Sequence, residues 1–591
     1  MRMFLSAFMG TIIGLVAGAL ILVGITMTVV GSLIDQTSAQ PQQPDIMVLE
    51  IDMRDRLPDQ APKAGLEAAF GGGIGFIDTI ISIERAAADD RVKGIFIRAS
   101  EMGMGSSRAE EYRDVLAAFK RTGKFVITHS QGAFIGGPSS LRAISMSDEI
   151  WIQPGSDVIA TGIGFETLFL GNLMKRLSIS PDFVSLYEFK TASNNLRESD
   201  YTDAHRESLT GIATELWAMT VESVAEDRQI DPLAVRETLE SGPLGSRKLI
   251  LTGLADIEGW PEDARDAALA RAGPNSQILD VRNYVPPQSS ASGPAVAIVG
   301  GRGGIVTGGS DDTLLQAGSA FASDSISAAL FEAAENDRVK AIVFRVDTGG
   351  GSPTGSDQIW RSIERIQADY KKPVIISMGS MAASGGYYVS MGADWIVANP
   401  SSITGSIGIT GGKIAISEGL ARLGVDARTI AVGGDFTTAF MSSEKFTPSQ
   451  REAVEDMLAR GYDRFVQLVA DGRNLTAEQI DRAARGRIWS GRTARDIGLV
   501  DELGGILQAV EAAKRLADLP EDQDISLIHY PRTIGLFGLS TGERTSVLSQ
   551  ISNLMRIVSY FSRDEVRQAI EAYGTSSQEP VQARISLVNE R

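Results

Sequence analysis

The apolar positions of this chain fall into three patterns. From Phe4 to Val30 they run almost unbroken, and no charged residue occurs between Met3 and Ile34. Further along, short apolar runs such as Ala341–Val346, Val374–Ser377 and Trp395–Ala398 alternate with longer stretches of helical spacing, among them Ser325–Glu335, Gln358–Asp369 and Gln450–Ala470. Near the C-terminus, Val547, Ile551, Leu554 and Val558 make one apolar helical face, with Leu548 and Met555 beside it. The first pattern predicts a membrane-spanning helix, which needs about 20 apolar residues. The second predicts βαβ units and a mainly parallel sheet, so the class is α/β. The third predicts a helix packed on its own domain or on a neighbouring subunit, because its polar side lacks the Lys/Arg enrichment of an interfacial helix.

The middle pattern occurs twice. Arg91-Val-Lys-Gly-Ile-Phe-Ile-Arg98 is echoed by Arg338-Val-Lys-Ala-Ile-Val-Phe-Arg345. Gly132-Ala-Phe-Ile-Gly-Gly137 is echoed within Met381-Ala-Ala-Ser-Gly-Gly-Tyr-Tyr388, and Thr252-Gly-Leu-Ala-Asp256 by Ile497-Gly-Leu-Val-Asp501. The separations are 247, 249 and 245 residues, too long for a solenoid unit of roughly 20–50 residues. They predict a duplicated domain. The organisation expected is a cytoplasmic tip and anchor over 1–35, a Gln/Pro/Ser-rich stalk over 36–45 and an N-terminal repeat over 46–283. A linker over 284–294, a C-terminal repeat over 295–533 and a helical extension over 534–591 follow.

Charge and cysteine usage narrow the functional classes. Arg2 and the terminal amine precede the apolar run and Asp35 and Asp45 follow it, so the positive-inside bias places the N-terminus in the cytoplasm and the repeats outside. A cleaved signal peptide has a shorter apolar core, about 7–15 residues, so an uncleaved anchor through residues 4–30 is the expectation. A net charge of −18 and a pI of about 4.8 argue against nucleic acid as a partner, since phosphate binding needs basic patches. With no cysteine, disulfides, thiolate metal sites and thiol nucleophiles are excluded. This composition fits an oxidising compartment.

The two copies are not chemically equivalent. Ser384 precedes a Gly-Gly pair where the first copy has Ile135, and Asp347-Thr-Gly-Gly-Gly-Ser352 has no glycine-rich counterpart in Ala99-Ser-Glu-Met-Gly-Met104. Conversely, Lys190 of the first copy faces a stretch around Asp435 to Thr438 that has no lysine. Small neighbours let a substrate approach the Ser384 hydroxyl. A helix starting there would turn the N–H groups of Ser384, Gly385 and Gly386 outward. The glycines after the strand at 341–346 suit an oxyanion hole. Taken singly, each feature has a plain reading: Ser384 as a helix N-cap, the glycines as a tight turn, Lys190 as a surface lysine. His129, His205 and His529 read as structural. A lysine acts as a base only when neutral, which requires its pKa of about 10.4 to fall through burial or nearby cations.

The motifs Ser377-Met-Gly-Ser-Met-Ala-Ala-Ser-Gly-Gly-Tyr-Tyr388 and Ala398-Asn-Pro-Ser-Ser-Ile-Thr-Gly-Ser-Ile-Gly408 resemble those of the signal peptide peptidase A (protease IV) family in its long two-repeat form, and the resemblance extends from the anchor to about residue 533. It implies Ser384 as nucleophile, Lys190 as general base, Ser406 as the hydroxyl that orients the lysine, and Gly350 with Gly385 as the oxyanion hole, with no cofactor or metal. Tyr187-Glu-Phe-Lys-Thr-Ala departs from the family's Tyr-Lys-Ser-Ala around the lysine, and Gly349 replaces a loop proline. The implied fold is two tandem Clp/crotonase-like domains of repeated ββα units. The implied protein is a membrane-anchored homotetramer that cleaves released signal peptides and other apolar peptides on the extracytoplasmic side of a bacterial inner membrane. Two rivals remain at this stage, a crotonase-type acyl-CoA enzyme and a catalytically silent membrane scaffold. The Ser384 Oγ to Lys190 Nζ distance decides whether the pair can act together.

Overall fold

The computed structural model describes residues 43–55, 57–61, 74–133, 137–287, 293–309, 321–521 and 523–531. The anchor at 4–30, the stalk up to residue 42, Ile135 and the extension at 534–591 lie outside the described residues. Among the described residues no helix is long and apolar enough to cross a membrane.

The run Val92–Arg98 is apolar at nearly every position and buried on both faces, as a central parallel strand must be. It lies in a six-stranded parallel sheet whose order across the sheet is Ile257–Glu258, Glu149–Ile152, Phe125–Ser130, Val92–Arg98, Met47–Asp52, Gln277–Asp280. The second sheet repeats that order with Glu502–Leu503, Trp395–Ala398, Val374–Ala383, Val339–Thr348, Ala295–Arg302 and Ser526–Tyr530. It adds Ile403–Gly405, parallel to the end of Val374–Ala383, and Ile488–Ser490, antiparallel to Ile403–Gly405. The mixed α/β class is as the patterning predicts. The strand runs at 341–346, 374–377 and 395–398 lie within observed strands, and the patterns at 325–335, 358–369 and 450–470 fall largely on the helices Ser323–Glu335, Pro353–Arg365 and Pro448–Arg473.

One apolar core joins the halves: Leu49, Ile97 and Val126 of the first sheet share it with Val296, Val343 and Ile375 of the second. The amphipathic helix Ile506–Leu516 contributes Ile506, Ala509, Val510, Ala512 and Ala513 to the same core.

Buried charge crosses the junction as well. Arg345, on Val339–Thr348, donates from Nε to Asp59 Oδ2 at 3.0 Å and from Nη2 to Glu111 Oε1 at 2.7 Å. Glu111 Oε1 also accepts from Asn399 Nδ2 at 3.1 Å, and its Oε2 accepts from the Ile506 N–H at 2.9 Å. That carboxylate therefore sits at the positive N-terminus of the Ile506 helix. The beginning of the glycine loop is thus anchored by side chains of the other repeat.

Candidate active site

Ser384 occupies the junction between strand Val374–Ala383 and helix Gly385–Ser390, as its small neighbours predict. Its φ of 56° and ψ of −115° are outside the usual regions for a residue with a side chain, the kind of local strain that needs surrounding structure to hold it. Support comes from several directions. The Ser384 N–H donates to Gly405 O at 2.8 Å, Tyr387 Oη donates to Leu499 O at 2.9 Å, and Tyr388 Oη donates to Asp357 Oδ1 at 2.7 Å. The expectation that the Ser384 N–H faces outward is therefore corrected. The neighbouring strand Ile403–Gly405 takes that donor, whereas the Gly385 N–H, at the helix's first position, has no intrahelical acceptor.

The glycine loop closes over the serine. A Cβ at Gly350 would lie 2.6 Å from the Gly385 nitrogen and 2.9 Å from Ser384 Cβ, and its φ is +102°, so only glycine fits. The Gly350 N–H donates to Thr348 Oγ1 at 3.1 Å, and Thr348 Oγ1 in turn donates to Gly303 O at 2.6 Å. Gly350 carbonyl accepts from the Ile305 N–H at 3.0 Å. These bonds brace a loop whose proline is replaced by Gly349.

Lys190 arrives from the first repeat by a strand exchange. Ser180–Ser185 forms a separate two-stranded ribbon, pairing antiparallel with Thr410–Ala415 of the second repeat, from Thr410 opposite Ser185 to Ala415 opposite Ser180. Five residues later Lys190 Nζ lies 2.9 Å from Ser384 Oγ, 2.9 Å from Ser406 O and 3.0 Å from Ser406 Oγ. Ser406 is itself held at φ 51° by its N–H donating to Arg487 O at 2.7 Å. Lys190 is 6% exposed, and burial alone pushes its ammonium down to about 8. Among the described residues no carboxylate forms an ion pair with it.

Two features of the lysine's seat were not apparent from the sequence. A Cβ at Gly486, where φ is +84°, would meet the Lys190 nitrogen at 2.5 Å, and one at Gly408 would meet Lys190 Cδ at 3.2 Å. The Arg487 guanidinium stacks on Phe189, 3.9 Å from the ring centroid, and also reaches Glu207. A glycine between two arginines carries no signal of the residue it must accommodate.

Among the described residues the histidines have other partners. His129 Nε2 lies 3.2 Å from Gly259 O, His529 Nε2 lies 3.0 Å from Asp78 Oδ1, and His205 packs on Tyr201 with ring centroids 4.9 Å apart.

The arrangement offers a hydroxyl, a buried amine beside it and, at Gly385, a backbone donor without an acceptor in its own helix. Peptidase family S49 matches residues 140–273 and 366–520, segments that contain Lys190 and Ser384 respectively. Protease 4 of Salmonella typhi is 30% identical over 462 residues, 75% of this chain and 72% of that protein. This chain belongs to peptidase family S49. Protease 4 of Haemophilus influenzae is 29% identical over 77% of this chain and 75% of its own. The chloroplastic serine protease SPPA of Arabidopsis thaliana is 25% identical over 82% of this chain and 71% of its own. A solved mutant of ClpP1 from Listeria monocytogenes aligns over 36% of this chain at 15% identity with a TM-score of 0.24, too little to carry an argument about the fold. The S49 protein described here is a serine peptidase.

Proposed function

We propose that Ser384 and Lys190 are the nucleophile and general base of this peptidase. The observation carrying that reading is a 2.9 Å contact between the hydroxyl and an amine whose burial lowers its pKa to about 8, so that about one-tenth of it is neutral at pH 7. A neutral amine has two N–H donors and one lone pair. Ser406 O and Ser406 Oγ, at 2.9 and 3.0 Å, accept the two donors and leave the lone pair for the Ser384 proton. Ser384 Oγ then attacks the peptide carbonyl carbon as its proton passes to Lys190 Nζ. The C–N bond breaks with that proton delivered to the leaving amine. Water, deprotonated by the same nitrogen, attacks the acyl ester and returns Ser384 to its hydroxyl. The Gly385 N–H, joined by that of Gly350 once a substrate oxygen displaces Thr348 Oγ1, serves the developing oxyanion.

The substrates in this reading are apolar peptides at a membrane, released signal peptides among them. An apolar chain lying over Lys190 would exclude water and keep the amine neutral. The anchor at residues 4–30 would hold the enzyme on the extracytoplasmic side of a bacterial inner membrane as a homotetramer. Labelling with a fluorophosphonate or a lipopeptide aldehyde, followed by mass mapping, tests the chemical core. Reaction at Ser384 that is lost in Lys190→Ala supports the dyad, and undiminished labelling without Lys190 refutes it. Absence of labelling in the intact chain would favour the scaffold.

A further inference from the structure

The strands Trp395–Ala398 and Ile403–Gly405 lie end to end along one edge of Val374–Ala383, with Ala398 paired to Met378 and Ile403 to Met381. Between those pairs the edge uses Asn399, Pro400, Ser401 and Ser402, while the central strand uses only Gly379 and Ser380. The surplus is looped out, and the loop fixes which residue of Ile403–Gly405 meets which residue of the strand leading to Ser384. Successive strand residues point to opposite faces, so a slip of one position reverses them. Here it would withdraw Gly405 O from the Ser384 N–H and Ser406 from Lys190.

The loop is a turn in which the Ser402 N–H donates to Asn399 O at 2.9 Å, with Pro400 at the position that suits its fixed φ. The Ser401 N–H has no role inside that turn. It donates at 3.0 Å to Glu110 Oε2, and Ser401 Oγ donates to the same oxygen at 2.6 Å. Glu110 belongs to the helix Ser106–Arg121 of the first repeat. One turn earlier on that helix, Ser107 Oγ lies 2.9 Å from Ser380 Oγ, so one helix touches both sides of the mismatch. From behind, Arg142 Nη2 lies 2.6 Å from Glu110 Oε1 and Arg142 Nε donates to Ser223 Oγ at 2.9 Å. Glu110, Arg142 and Ser401 are all buried, which makes the carboxylate a fixed acceptor.

The position 247 residues after Glu110, the spacing that relates Arg91 to Arg338, is Asp357. Asp357 accepts from Tyr388 Oη at 2.7 Å, on the helix that follows the nucleophile. Corresponding carboxylates of the two repeats therefore grip two different elements of the same site.

We propose that Glu110 is a positioning residue for the peptidase site, an assignment that rests on the dyad reading above. Through Ser401 it sets the register of Ile403–Gly405, and with it the acceptor of the Ser384 N–H and the Ser406 seat of Lys190. The first repeat thus supplies the clamp on that seat as well as the amine.

Substitutions in the full chain separate this role from that of a structural ion pair. Glu110→Ala removes both the Ser401 contacts and the partner of Arg142, whereas Glu110→Gln removes the charge and keeps an oxygen for Ser401. Both are expected to lower the melting temperature, because Arg142 stays buried without its carboxylate. Only Glu110→Ala is expected to slow fluorophosphonate labelling of Ser384, by about tenfold, with kcat for a peptide falling alike and KM little changed. Ser401→Ala leaves the Arg142 pair intact, so it reads the same contact without endangering the fold, and it is expected to slow labelling too. Equal slowing in the Gln and Ala variants would overturn the proposal, as would full-rate labelling in Ser401→Ala. Undiminished labelling in Lys190→Ala would instead remove the dyad itself, whatever the Glu110 variants do.

Discussion

The buried amine of Lys190 makes a quantitative prediction about pH. With its pKa at about 8, the neutral form makes up roughly one-tenth of the enzyme at pH 7 and nine-tenths at pH 9. The rate of Ser384 acylation should therefore rise about tenfold over that range and level off. An ordinary lysine with a pKa near 10.4 would instead give a rise of about a hundredfold with no plateau below pH 10. The rate constant for fluorophosphonate labelling is the suitable readout, because the probe does not titrate. The same burial makes a stability prediction of defined sign. The folded pKa lies below the unfolded one, so the folded state binds fewer protons between about pH 8 and 10.5. The penalty is fully present below pH 8 and is relieved as pH rises through that window. At 1.36 kcal/mol per pH unit, it amounts to about 3 kcal/mol. Lys190→Met keeps the apolar stem and removes the charge, so the alkaline gain in melting temperature should disappear in that variant. An inflection near 6.5 in the labelling profile would point to a histidine, and a profile climbing past pH 10 would show that Lys190 is not desolvated. Either result would refute the reasoning.

Three further perturbations probe the supports of the site. Gly486→Ala puts a Cβ 2.5 Å from the Lys190 backbone nitrogen at a positive φ, so labelling of Ser384 should fall by about a hundredfold with the fold retained by circular dichroism. Ser406→Ala leaves the carbonyl contact to Lys190 but removes the 3.0 Å hydroxyl contact, and peptide turnover should drop about 10- to 100-fold in kcat with KM little changed. Glu111→Ala leaves the buried Arg345 with Asp59 as its one carboxylate partner and frees the Ile506 helix N-terminus, which should cost about 3 kcal/mol in denaturant unfolding, whereas a surface pair such as Arg365–Asp369 should cost under 1 kcal/mol.

Much of the site was legible because its chemistry is local. Ser384 stands out through its small neighbours and the strand run before it, and the helix that begins at Gly385 follows from the ten-residue gap before Trp395. The duplication was legible because strands buried on both faces keep continuous apolar runs, which survive as matching anchors. Hydrogen-bond bookkeeping was less accessible. The N–H of Ser384 is consumed by Gly405, and the N–H of Gly350 by Thr348, through contacts that depend on how neighbouring strands and loops lie. The seat of Lys190, formed by Gly408, Gly486 and the Arg487–Phe189 stack, joins residues more than 200 apart and leaves no periodic trace.

By itself, the sequence determined the α/β class, the two-fold repetition and the asymmetry that leaves a serine in one copy and a lysine in the other. These are properties of composition and order along the chain. Only the tertiary structure decided that the two residues meet within one chain. The strand Ser180–Ser185 crosses to Thr410–Ala415 instead of staying with its own repeat, and that crossing both delivers the amine and buries it. Desolvation, which makes a lysine usable as a base, belongs to the surroundings of the side chain and is therefore written in the packing of the two repeats.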